Sequence, residues 1–461
     1  MSPHTVSIPY GDEQITFAVP DSHPLAILIP GQDSSDEGPD HPGRRVGFPT
    51  HLSNSPHQSE DEEIRRALTE PIGAPPLGQF VRQTLDSLPP ASDSSLRPAS
   101  RRPDKVVILV DDLTRPTPQQ AILSILLDEL NRNGVPDRQI TVLIALGTHR
   151  PMTAAEIDQR FGEQVTQRVE VLNNPWQDPN QMVDLGATPN GTPVQVSRLA
   201  LEAGFLLGVG SIVPHHIPGF SGGAKIVQPG VTGAATTGAT HLLSTRTRRS
   251  YLGLVENPVR AEMEWIAERV GLKAIFNTVL APDGSLVQAF YGEPRQAFRQ
   301  GAALAARVWG VKAPFPPDIV VAGSHPCDIE FWQAHKSLYP ADMLLKDGGT
   351  LILVTPCPEG VSVMHPEVLD YAGLPPEQIL ARIESGAIPD VAAGALALAW
   401  AQVRQRLHIS LVSHGISPAA ARALGFQPFA TIDEALSASF QRHGPQSSLA
   451  VLPYAPDTLP V

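Results

Sequence analysis

The richest chemistry in this chain follows an apolar run, in the stretch Val209-Gly210-Ser211-Ile212-Val213-Pro214-His215-His216-Ile217-Pro218-Gly219-Phe220-Ser221-Gly222-Gly223-Ala224-Lys225-Ile226-Val227-Gln228-Pro229-Gly230. Paired imidazoles, a glycine-rich loop and a single lysine share it. A P-loop also joins a strand, a glycine-rich loop and a lysine. That motif requires Gly-Lys-Ser/Thr, whereas Ala224 precedes Lys225 here and Ile226 follows it. A zinc-peptidase reading fails as well, because His215 and His216 are adjacent and no Glu stands at helical spacing. What remains is a loop that lets backbone approach a bulky ligand, beside a lysine available for covalent or ionic duty. His241 lies downstream among the small residues Thr232 to Thr240, and imidazole suits nickel among the transition metals.

Two other strand ends carry reactive groups, the position where open α/β sheets display them. Asp111-Asp112-Leu113-Thr114-Arg115-Pro116-Thr117-Pro118 offers two acids and a guanidinium. Asp or Thr there could simply cap the following helix, with proline in its first turn. Arg115 has no part in a cap, and its planar fork suits a carboxylate. Leu146-Gly147-Thr148-His149-Arg150-Pro151 supplies a candidate general acid or base in His149. A fourth constellation runs from Ser324 to Lys336. If it is helical, Gln333 and Lys336 lie one turn apart on one face; the bland alternative is an amphipathic helix with a solvated lysine.

The elements around these residues read as α/β. An alternating hairpin spans Val6 to Phe17 around Gly11-Asp12, and Leu25 to Ile29 reads as a short strand. Gln32 to Asp61 has almost no aliphatic residues and reads as a long surface loop, with His41, His51 and His57 as solvated residues rather than a metal tract. A second polar insert runs from Pro89 to Pro103. Continuous apolar runs at 105–110, 140–146, 205–213, 275–280, 319–322, 351–354 and 409–412 read as strands buried on both faces. Helical patterns such as Pro118 to Asn133 and Pro294 to Trp309 alternate with them, which implies two domains with largely parallel sheets flanked by helices. The turn-rich segment Lys312 to Pro317 sets the expected boundary. Residues 1–311 form the N-terminal domain in this reading and 312–444 a smaller α/β domain. The tail, 445–461, would cross back onto the first domain.

At 461 residues the chain exceeds a single compact core. A formal net charge of -13 gives it no electrostatic footprint for nucleic acid or an anionic membrane. Its two cysteines, Cys327 and Cys357, make neither a disulfide framework nor a four-cysteine zinc site and read as small core residues. The first twenty residues lack a basic-then-apolar leader pattern, and no apolar run approaches the roughly 20 residues of a membrane span. A cytoplasmic location is expected by elimination.

Taken in order, these four motifs resemble the nickel-dependent lactate racemase family of 2-hydroxy acid racemases and epimerases, over about Ile64 to Gly415. The resemblance implies a nickel pincer built on a pyridinium-3,5-bisthiocarboxylic acid mononucleotide, made by separate maturation proteins and joined covalently to Lys225. It implies that His241 is the protein's nickel ligand, and that His149 and His215 are the catalytic pair. Asp112, Leu113, Thr114 and Arg115 would touch cofactor and substrate, with Pro229 also against the cofactor. Gln333 and Lys336 would close over the substrate from the second domain, placing the active site in the interdomain cleft. Trp332 stands where many relatives have tyrosine and bears on which side chain fits. His216 is left structural.

The chemistry agrees with that implication. The hydrogen at C2 of a hydroxy acid is a poor acid, because the adjacent carboxylate resists further negative charge. Its removal as hydride needs an electron acceptor that no side chain provides. Two enantiomers place their hydroxyl groups on different sides, hence two bases. The expected activity is inversion of a small, lactate-like 2-hydroxy acid. Two alternatives are 2-epimerisation of a longer polyhydroxy acid and non-catalytic binding of the nickel cofactor; a zinc hydrolase lacks a ligand motif.

Overall fold

The computed structural model describes residues 3–31, 59–87 and 102–461. The apolar runs build two six-stranded sheets. In the first, the spatial order is Leu286–Gly292, Leu272–Leu280, Ala203–Ser211, Arg102–Val110, Ile140–Ile144 and Glu170–Asn173. Every neighbouring pair is parallel except the hairpin of Leu272–Leu280 with Leu286–Gly292. Ala203–Ser211 and Ile140–Ile144 are buried at every residue, which is why they read as unbroken apolar runs.

Topology positions the site. From Arg102–Val110 the chain winds outward through 140–144 and 170–173, then returns to the opposite flank of its first strand as Ala203–Ser211. Such a reversal opens a crevice at the carboxyl ends of the two diverging strands. Asp111 to Arg115 leave one lip and Ile212 to His215 the other. The second sheet runs Gln427–Phe429, His408–Val412, Thr350–Val354, Ile319–Gly323, Leu449–Leu452, Leu25–Ile27, all parallel. Its reversal falls beside Ile319–Gly323, from which Ser324 to Lys336 emerge.

Sequence order misplaces the start of the chain and part of its tail. The segment up to residue 31, grouped above with the N-terminal domain, belongs to the second sheet. Leu25–Ile27 pairs with Leu449–Leu452, and Val6, Ile8, Phe17 and Val19 pack on Ile319, Val321, Ile352 and Val354. The cause is the one-sided apolar pattern of the hairpin His4–Tyr10/Glu13–Val19, which needs a sheet face to cover it. The tail likewise inserts a fully buried strand, Leu449–Leu452, into the second sheet. Beyond it the tail does reach back to the first domain: Ala455–Asp457 lies against Pro214–His215, and Leu459–Pro460 pairs with Gly310–Val311.

The insert ends also shift. A helix, Glu60–Thr69, starts inside the stretch read as loop, because Ser59 and Glu62 form a reciprocal capping box. Arg102 and Pro103 open a strand instead of closing the second insert. The remainder of both inserts, including His41, His51 and His57, lies outside the described residues. The expected helices occupy Gln119–Arg132 and Pro294–Trp309. Cys327 and Cys357 are buried and unpaired. Among the described residues, no helix is long and apolar enough to cross a membrane.

Candidate active site

The two sheets face each other across a cavity open at its mouth, with about 960 Å³ of empty space when the solvent at the mouth is counted. Its wall includes Asp112, Arg115, His149, His215, Lys225, Pro229 and His241 from the first domain, and Trp332, Gln333 and Lys336 from the second. All ten are residues that the resemblance assigns to the site, from widely separated points of the sequence. Leu113 and Thr114 do not line it. Leu113 packs against the core of the first sheet, and Thr114 acts through its neighbours.

The strand end after Val110 is not a helix cap, since the helix Gln119–Arg132 has no side-chain cap at all. Asp112 instead accepts from His149 Nδ1 at 2.5 Å with one oxygen, and from the Thr114 amide at 3.0 Å and hydroxyl at 2.5 Å with the other. Burial alone would raise its carboxyl pKa, but the His149 imidazole and the Arg115 guanidinium outweigh it and hold the group ionised, well below the usual carboxylate range. Arg115 is steered by Thr114, donating to its carbonyl at 3.0 Å and hydroxyl at 2.9 Å. Asp111 turns away from catalysis: it accepts from Gln119 at 2.8 Å and Arg160 at 3.1 Å and ties down Thr117.

A hydrogen-bond chain crosses the cleft. Lys336 Nζ donates to Gln333 Oε1, which turns the Gln333 amide nitrogen onto His149 Nε2 at 2.9 Å. With His149 Nδ1–H given to Asp112, its Nε2 carries the lone pair. A cross-domain ion pair, Arg150–Glu359 at 3.1 Å, reinforces the contact. The conditional helix of the second domain is a short turn, Phe331–Ala334, continued as a 3-10 turn over His335–Ser337. Burial lowers the Lys336 ammonium to about 8, and nearby Arg115 lowers it in the same sense.

The glycine-rich loop is shaped by close approaches. Gly222 and Gly223 have φ of +75° and +59°, and a Cβ on Gly223 would touch the Phe298 ring at 2.9 Å. A Cβ on Gly230 would sit 2.0 Å from the Ile226 carbonyl oxygen. The Gly230 carbonyl accepts from the Gly147 amide at 3.0 Å, fastening the loop to the strand end that bears His149. Lys225 follows within the 3-10 turn Gly223–Ile226. Burial first, then Arg115 and Lys336, drive its ammonium well below the usual lysine range. The amine is therefore disposed to be neutral and nucleophilic.

His215 accepts from the Ile217 amide on Nδ1 at 3.2 Å, so the neutral ring carries its hydrogen on Nε2, the reverse of the His149 tautomer. Burial, with Lys225 next, keeps its ring neutral well below the ordinary histidine pKa. His216 has a different setting. It is stacked between His215 (4.8 Å) and Tyr339 (4.0 Å) and meets His335 through Nε2 at 3.4 Å. His241, on the helix Ala234–Ser244, donates Nδ1–H to the Thr237 carbonyl at 2.8 Å, so Nε2 bears its lone pair. Burial lowers its pKa to about 4.

Sequence reasoning missed the supports. Arg260 donates to the carbonyls of Gly222 (3.0 Å) and Phe220 and lies 4.0 Å over the Phe298 ring. Asn277 accepts from the Gly223 amide at 2.8 Å and donates to Gly210 O at 3.1 Å. Each left a signal: a cation on the apolar helix face of Val259, Met263 and Ile266, and an amide inside the apolar run 275–280.

Fold and site together define a two-domain α/β enzyme with a cation-rich cleft. Residues 85–253 match the lactate racemase N-terminal domain, and residues 313–457 match the lactate racemase C-terminal domain. The chain belongs to the lactate racemase family of isomerases. It is 29% identical over 360 residues to lactate racemase of Thermoanaerobacterium thermosaccharolyticum, covering 77% of this chain and 75% of that protein. It is 28% identical over 406 residues to that of Lactiplantibacillus plantarum, covering 86% and 89%. The solved lactate racemase apoprotein from T. thermosaccharolyticum shares the fold, with a TM-score of 0.81, 24% identity, and coverage of 99% of this chain and 100% of that one. A solved protein from Thermotoga maritima does so at 0.63, with 19% identity over 85% and 99%.

Proposed function

We propose that this protein inverts C2 of lactate, or of a 2-hydroxy acid close to it in size, with the nickel-bearing pyridinium mononucleotide of its family held by Lys225 and His241. One observation carries the reading: Lys225, His241, His149 and His215, from four separate segments, line one cavity. The residues suit the group. His241 gives Nδ1–H to a backbone carbonyl and keeps Nε2 free, the arrangement that orients an imidazole toward a metal. Lys225 is a depressed-pKa amine able to form a thioamide. When bound, the cofactor supplies the acceptor for the hydrogen at C2 that no side chain provides.

The chain's own residues supply binding and proton transfer. Arg115 and Lys336 hold the substrate carboxylate by charge-assisted bonds, fixing C2 so that only the hydroxyl and the side chain exchange places between enantiomers. His149 Nε2 accepts the hydroxyl proton once the substrate displaces the Gln333 amide from it, and Asp112 stabilises the imidazolium that forms. His215 faces the enantiomer whose hydroxyl points to the other lip; its Nε2–H donates to that oxygen, and it can take the proton only after its ring hydrogen moves to Nδ1 and the Ile217 amide lets go. Closure of the second domain, held by Arg150–Glu359, keeps water from the planar 2-keto acid while it reorients.

The test is co-expression with the cofactor maturation proteins. Intact mass is expected to show an adduct that the Lys225→Ala variant lacks, and chiral chromatography should show lactate interconverted. Loaded protein inert toward every 2-hydroxy acid would leave a cofactor-binding protein. Faster turnover of long polyhydroxy acids would make it a sugar-acid epimerase. Nickel undiminished in His241→Ala would remove that residue as ligand.

A further inference from the structure

Behind the cavity wall lies a buried pair that the proposed chemistry does not use. Trp332, which borders the cavity, lies flat on the His365 imidazole, with ring centroids 4.0 Å apart and planes within 16°. Trp400 meets it edge-on at 6.5 Å. His365 is 3% exposed and its Nδ1 sits 2.5 Å from Asp390 Oδ2. The other Asp390 oxygen accepts from the Ala393 amide at 3.0 Å, capping the helix Val391–Arg404. That helix lends Leu396 to the cavity and packs closely on the helix of His241, where a Cβ on Gly238 would lie 2.8 Å from Val391. Ring, carboxylate and helix form one prop with its free end against the indole. Glu367 approaches the same pair, the three candidate ligand atoms lying within 4.8 Å of one another.

We infer that His365, anchored by Asp390, is a positioning residue that fixes Trp332 as the wall against the substrate side chain and thereby sets the size of 2-hydroxy acid accepted. The inference rests on the reading above that the cavity binds such an acid. Without a ring at position 365 the indole loses one stacked face and is free to tilt into the vacated space. A chamber widened by one or two methylene groups changes discrimination between neighbouring substrates by about tenfold or more. Asn at 390 can still accept from Nδ1–H and cap the helix, so it should preserve the wall.

The experiment compares the loaded wild type with His365→Ala, Asp390→Asn, Trp332→Ala and the double variant His365→Ala/Trp332→Ala. The readout is kcat/KM for lactate and for a 2-hydroxy acid with a branched four-carbon side chain. His365→Ala should raise the bulky-to-lactate ratio about tenfold, with the lactate KM rising more than kcat falls. Asp390→Asn should keep the wild-type ratio. In the double variant, His365→Ala should add nothing to the effect of Trp332→Ala, as expected of residues acting through one another. An unchanged ratio in folded His365→Ala, or the same increment on both backgrounds, overturns the inference. The indole 15N–1H resonance of Trp332, identified by its loss in Trp332→Phe, gives a readout independent of turnover. It should shift in His365→Ala and stay in Asp390→Asn. If the wild type interconverts no 2-hydroxy acid, the functional reading fails, while an unmoved indole resonance sinks the positioning role by itself.

Discussion

At the scale of single residues, the site is a set of committed hydrogen bonds that leave particular atoms free. Asp112 fixes the His149 tautomer from one side at 2.5 Å, and Gln333 marks the vacant lone pair from the other at 2.9 Å. Asp112→Asn would keep the shape but present an amide to Nδ1 and strip the imidazolium of its counter-charge. The expected outcome is a loss of kcat of roughly two to four orders of magnitude with little change in stability, by analogy with wrong-tautomer variants of serine hydrolases. Steady-state kinetics beside a urea titration checks it, and near-normal turnover would remove His149 as a proton acceptor. These residues were legible because acids, a guanidinium and imidazoles directly after apolar strands have few structural uses. Arg260 and Asn277 were not, because a polar group on an otherwise apolar face has meaning only once its backbone partners are known. Those partners, Phe220, Gly222, Gly223 and Gly210, come from other segments of the chain.

At the scale of elements, the loop from Gly222 to Gly230 works because backbone occupies the space a side chain would need. Gly230→Ala would press Cβ to 2.0 Å from the Ile226 carbonyl oxygen, a backbone atom that cannot swing aside. A destabilisation of about 2–3 kcal/mol is expected, the upper range for overpacking. Gly284→Ala is the control: its φ is +83° but nothing lies within 4 Å of the added methyl, so the cost should be about 1 kcal/mol of backbone strain. Equal shifts in urea midpoint for the two would show that the loop yields. Element legibility followed burial. Strands enclosed on both faces, such as 140–144 and 350–354, announce themselves as apolar runs. The sheet-edge strands Glu170–Asn173 and Gln427–Phe429 are only partly buried and carry too little pattern to separate from loops.

At the scale of the whole molecule, two distant chain ends close the second sheet. No local pattern could announce that Leu25–Ile27 pairs with Leu449–Leu452, since the pairing depends on which edge remains open after the other strands are laid down. The assembled cavity also gathers a charge imbalance that no single segment contains. Arg115, Lys225, Lys336, His149, His215, His216, His241 and His335 share its wall with Asp111 and Asp112 as its acids, while Asp457 is buried near Lys336 and Arg115. Burial keeps His215 and His216 neutral well below 6.5 and lowers His241 to about 4 and His335 to about 3. Each of these four binds fewer protons folded than unfolded once pH drops below the unfolded value of about 6.5. Stability must then fall as pH falls, with a limiting slope of about 1.4 kcal/mol per pH unit for each group. Asp457 opposes them: burial lifts it to about 6, so between about 4 and 6 the folded state binds the extra proton. Elsewhere Glu60, Glu330 and Asp342 are raised in the same sense as Asp457 while His408 and His443 are lowered, so six imidazoles stand against four carboxyls and the sign is unchanged. The urea midpoint of the cofactor-free protein should decline from pH 7 to pH 5, and substituting Asp457 with Asn should steepen that decline. A midpoint that stays level over the same interval would mean that the imidazoles can take up protons inside the folded cavity, and His215 would then begin the reaction charged rather than neutral.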